Sequence, residues 1–163
     1  MKTLVLGLGN ELYGDDGAGI HVIKELRSKI ETEKKLSADF HDVDLLECSL
    51  TGFALLDVII GYDRLIIVDT IKRSEPKTGR ITILEEKDLR YIPGPSPHYV
   101  SIPQTIEIGR QIHLKVPAEI KIIAIEAKNI YNLGEGLTKE MEKTLPAIIN
   151  KTIELVKQNN NND

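Results

Sequence analysis

The chain has 163 residues, enough for one domain with a sizeable buried core, and its 41% hydrophobic and 28% charged composition is that of an ordinary globular protein. A net charge of −4 disfavours nucleic acid as the main partner, and no apolar run approaches the ~20 residues that a membrane span needs. Cys48 is the single cysteine, which excludes an internal disulfide and an all-cysteine metal cage. The N-terminus lacks the basic flank and apolar core of a signal peptide, so a cytoplasmic protein is expected.

Leu4, Val5 and Leu6 open a first strand over residues 2–7, followed directly by Gly7, Gly9 and Asn10. Asp15 and Asp16 come next, then Gly17 and Gly19. Ile20, Ile23 and Leu26 then recur at helical spacing and predict a helix over 16–30. A strand, a glycine turn and an amphipathic helix form an α/β unit. The acids therefore sit at the carboxyl end of a strand, where open α/β sheets bind ligands. The spacing is not a dinucleotide fingerprint, because the position of the third glycine holds Leu12, and no P-loop lysine follows. The plainer reading of an acid here is a helix N-cap.

Residues 31–35 are expected to be a solvated connection, followed by a second strand over 39–46 and a helix from Leu50 to Ile60 that stops at Gly61. Leu65 to Val68 is an unbroken apolar run ending in Asp69, the pattern of a strand buried on both faces of a parallel sheet. If this strand lies parallel beside the first, Asp69 emerges at the same edge as Asp15 and Asp16. A turn over 72–79 leads to a marginal strand at 80–84. A proline-rich surface loop at 85–97 then delivers His98. A helix over 101–114, with Ser101 and Gln104 as a capping box, precedes a last central strand at 118–125. Thr138 opens a final helix to residue 157, with a kink expected at Pro146. The order βαβαββαβα predicts one three-layer α/β domain over residues 1–157. It has a twisted, mostly parallel sheet of about five strands with helices on both faces. The polar stretch 158–163 is expected to be a disordered tail.

Asp16, Asp69 and His98 are the candidate site. Two carboxylates and an imidazole from separate strand ends and a loop suit a divalent metal such as Zn, Ni, Co, Fe or Mn, and equally suit general acid–base work. His21 and His113 read as partly exposed helix residues and His41 as an edge-strand residue. Cys48 reads as an inert, semi-buried thiol.

Gly7-Leu8-Gly9-Asn10 with Asp15-Asp16, the strand ending in Asp69, and Ser96-Pro97-His98 together resemble the hydrogenase maturation endopeptidases, along about residues 1–155. The resemblance implies a nickel-contacting trio at Asp16, Asp69 and His98. It also implies cleavage of a short C-terminal peptide from the large-subunit precursor of an [NiFe] hydrogenase. The metal is then a recognition signal carried by the substrate, with no permanent cofactor, and other divalent metals can occupy the site. A monomer is expected. The family's Asp-Gly-Gly-Thr-like run is replaced here by Glu47-Cys48-Ser49-Leu50-Thr51-Gly52. Two rival readings are a non-catalytic, nickel-dependent precursor-binding protein and a peptidyl-tRNA hydrolase-like esterase. The esterase is suggested by Gly-Leu-Gly-Asn alone and opposed by the missing basic surface.

Overall fold

The computed structural model describes residues 1–91, 101–134 and 136–158. Its strands are β1 (Thr3–Leu8), β2 (Val43–Cys48), β3 (Arg64–Ile71), β4 (Ile81–Glu85) and β5 (Glu119–Glu126). They form one sheet in the order β2-β1-β3-β5-β4. All neighbours run parallel except β4, an edge strand antiparallel to β5. The expected adjacency holds: β1 and β3 pair directly, with Leu4 opposite Leu65 and Gly7 opposite Val68.

Alternation along the strands sorts the core into two layers, because successive side chains leave opposite faces. Val5, Ile66, Val68, Ile123 and Ile125 face helices α1 (Ala18–Thr32), α2 (Lys34–Asp39) and α5 (Lys139–Lys157). Leu4, Leu6, Leu8, Leu65, Ile67 and Ile122 face α3 (Ala54–Ile59) and α4 (Ser101–Gln111). Every residue of β3 is buried, as a strand covered by helices on both sides must be. Pro146 lies inside α5 without ending it.

Several boundaries differ from expectation, each for a local reason. Residues 31–35 are not a simple connection. Instead α1 runs on to Thr32 and α2 follows, because Leu36 and Phe40, four apart, bury against the α1 layer. The second strand slides to Val43–Cys48 because pairing with β1, from Thr3 opposite Val43 to Leu8 opposite Cys48, sets its register. The helix after it begins at Ala54, and Gly52, with φ +61°, belongs to the preceding turn. Glu86–Tyr91 forms 3-10 turns rather than open loop. Residues 92–97 of the expected loop, His98 after it, the side chain of Ser101 and residues 159–163 lie outside the described residues.

At the carboxyl edge of the sheet, α1 comes down almost onto bare backbone. A Cβ on Gly19 would strike the Val68 carbonyl oxygen and sit 2.6 Å from that of Leu8. Gly9 takes φ +142°, and a Cβ there would strike the Asp16 carbonyl oxygen. Both positions therefore need glycine. Gly19→Ala is expected to cost about 3 kcal/mol in urea unfolding, since overpacking against fixed backbone has no side chain to move aside. Gly134→Ala, where a Cβ meets open space, should stay within about 0.5 kcal/mol of the parent.

Candidate active site

After β1 the chain turns through Asn10, whose side-chain Oδ1 accepts the Leu12 N–H at 3.0 Å and whose carbonyl accepts that of Tyr13 at 3.0 Å. These bonds deliver Gly14–Gly17 as one 3-10 turn ahead of α1. Asp16 therefore lies at the close contact between helix and sheet edge. Its Oδ2 accepts the backbone N–H of Asn10 at 2.8 Å, and its Oδ1 accepts the Thr70 hydroxyl at 3.2 Å. Asp69 is fully buried near the end of β3, where Oδ1 accepts the N–H of Thr70 at 2.7 Å. Asp16 and Asp69 are thus both bonded to Thr70, one to its hydroxyl and one to its N–H.

Asp15 points elsewhere. Its Oδ1 accepts the Thr138 N–H at 2.7 Å and its Oδ2 the Thr138 hydroxyl at 2.9 Å. Thr138 is in turn the N-cap of α5 and accepts the Met141 N–H at 3.3 Å, as expected for the residue that opens this helix. The capping reading of the acid pair therefore applies to Asp15, although the helix it serves is α5 and not its own.

His98, the third member of the expected set, lies outside the described residues. The other histidines stay out of the site. His21 faces Glu11 at 3.5 Å, and His41 faces Asp42 at 2.9 Å. His41 sits in the turn before β2 rather than on an edge strand, and His113 lies just past α4 with φ +59°. Cys48 is buried at the end of β2, where its Sγ lies 3.4 Å from the Leu50 nitrogen, and β1 separates its strand from β3. Among the described residues no three His, Cys, Asp or Glu side chains converge to hold a metal. Two carboxylates are in place, and a metal there needs donors from elsewhere.

Two other acidic features at the sheet ends have structural uses. Glu126, fully buried at the end of β5, pairs with Arg73 at 3.3 Å and Arg80 at 3.5 Å and accepts the Lys77 N–H at 3.0 Å. It fastens the connection between β3 and β4. An open concavity at the opposite edge is lined by Glu85, Glu86, Lys87 and residues 118–121, and its lysines pair with neighbouring glutamates. Around the acid pair the loops carry bare apolar side chains. Leu12 is 57% exposed and Leu133 79%, on two segments joined by backbone bonds between Leu12, Gly14 and Gly134.

Thr70 and Thr138 were not among the residues singled out for chemistry. The available signal for Thr70 was a hydroxyl on the face of an otherwise aliphatic strand.

A family model described as hydrogenase maturation protease matches residues 20–155, a span that starts just after the acid pair and includes Asp69. The hydrogenase 2 maturation protease of Escherichia coli is 24% identical over 160 residues, covering 97% of this chain and 92% of its own. The hydrogenase expression/formation protein HupD of Rhizobium leguminosarum is 22% identical over 160 residues, covering 96% and 74%. The hydrogenase maturating endopeptidase HybD from E. coli superimposes with a TM-score of 0.79 at 20% identity, covering 98% of this chain and 94% of that one.

Asp15→Ala leaves the Thr138 N–H without its carboxylate and should cost about 1–3 kcal/mol. Thr138→Ala keeps the N–H bond but removes the hydroxyl's bond to Asp15 and the cap, so the two variants share the loss of that hydroxyl bond and the double variant should lose less than the sum in urea unfolding. Additive losses would show that the two residues do not form one unit.

Proposed function

The chain belongs to the hydrogenase maturation protease family and is a peptidase, and from that premise we propose that it cleaves a short C-terminal peptide from a nickel-loaded [NiFe] hydrogenase large-subunit precursor. The observation that carries this reading is that Asp16 and Asp69 are both bonded to Thr70 at the carboxyl edge of the sheet. An ionised carboxylate only accepts hydrogen bonds and attracts a cation, and both of these acids are bonded to Thr70. Two carboxylates, with His98 as third donor, make an open and weak site for a transition metal. Thiolates of the precursor complete the coordination, so a precursor without metal gains no bridge and is passed over.

In this reading Asp16 and Asp69 hold the metal-bearing end of the substrate against the sheet edge. The scissile carbonyl or the attacking water is activated by the substrate's nickel. Metal-assisted hydrolysis is favoured over a purely carboxylate-driven reaction, because both acids are already engaged as acceptors. Exposed Leu12 and Leu133, on the loops next to the turn that carries Asp16, suit a polypeptide substrate better than a small anion.

Release of a C-terminal peptide is expected from loaded precursor only, read as a mobility shift with a nickel-free control beside it. Asp16→Asn should slow that release by at least about 100-fold. Cleavage of nickel-free precursor at the same rate would overturn the metal gate. Binding without cleavage by the parent protein would favour a non-catalytic precursor-binding role.

A further inference from the structure

We infer that Thr70 is a positioning residue that locks the two carboxylates into one geometry, its hydroxyl holding Asp16 and its backbone N–H holding Asp69. The inference rests on the proposed role of the acid pair in peptide cleavage.

On β3, Ile66, Val68 and Thr70 share the face toward α1, while Ile67, Asp69 and Ile71 share the other. The two acids therefore reach the edge from opposite sides of the sheet, one with the turn ahead of α1 and one from the strand itself. Thr70 lies where those approaches meet. Its N–H to Asp69 Oδ1, at 2.7 Å, folds the acid back along its own strand. Its hydroxyl to Asp16 Oδ1, at 3.2 Å, ties the incoming turn to the same residue.

Packing alone does not explain a hydroxyl here. Thr70 is 1% exposed, and the strand positions before it on that face are aliphatic and fully buried. Valine has the same branched shape and suits a strand equally well. What valine lacks is the donor. A buried hydroxyl is retained without penalty only where it is bonded, and here its acceptor is the carboxylate that the reaction needs in place. Reacting groups are sensitive to displacements of about 1 Å, so a donor that fixes one acid relative to the other controls turnover more than binding.

Three variants test this on the full chain with nickel-loaded precursor: Thr70→Val, Thr70→Ser and Thr70→Ala. All three keep the backbone bond to Asp69. Thr70→Val should lower kcat by about 10–100-fold with KM within about 2-fold of the parent, and Thr70→Ser should recover kcat to within about 3-fold. Serine and alanine differ by the hydroxyl alone. If valine destabilises the fold on heating, a kcat for alanine about 10–100-fold below that of serine supports the same role. Parent-like kcat in Thr70→Val or Thr70→Ala overturns it, as does a serine variant no better than alanine. Asp16→Asn run alongside separates the two ideas. An inactive Asp16→Asn with a normal Thr70→Ala refutes the positioning role alone, whereas an active Asp16→Asn refutes the acid-pair reading and the Thr70 role with it.

Discussion

The site depends on how closely the start of α1 approaches the sheet. Helix backbone meets strand backbone there with no side chain between, which is why Gly9 and Gly19 admit no Cβ. That contact places the turn carrying Asp15 and Asp16 directly over the ends of β1 and β3. Asp15 reaches across to Thr138 and secures the start of α5. Asp16 reaches down to Asn10 and Thr70. One steric constraint thus fixes a structural acid and a functional candidate side by side, aimed in different directions.

Burying carboxylates has a cost unless donors or a cation meet them. Main-chain N–H groups of Asn10 and Thr70 and the Thr70 hydroxyl supply donors to Asp16 and Asp69. Donors and acids thus combine at the carboxyl edge of the sheet. In the proposed reaction that combination suits a metal that arrives with the substrate and leaves with it. A tightly held resident ion would bind loaded and unloaded precursor alike and remove the basis for choosing between them.

Much of this was legible from residues alone. The run Leu65 to Asp69 announced a buried parallel strand ending in an acid, and its pairing with β1 follows from both strands being apolar on two faces. The features that stayed hidden depend on long-range partners. Thr138 lies 123 residues from Asp15, and no local pattern links a loop acid to a helix cap that far away. The register of β2 was hidden because its acids dilute the apolar signal, leaving pairing with β1 to decide it. Phe40 reads as part of the second strand, but with Leu36 it belongs to α2 and its end and buries against α1. His98 was read from its proline-rich setting, and its position relative to the acids lies outside the described residues.

The central claim is that Asp16 and Asp69 act as one unit. The most direct measurement is single-turnover peptide release from loaded precursor by Asp16→Asn, Asp69→Asn and the double variant. Residues that work together lose nearly everything when either is removed, so the double variant should be no more than about 3-fold slower than the slower single one. Losses that multiply, or a single variant that releases peptide at the parent rate, would contradict the account.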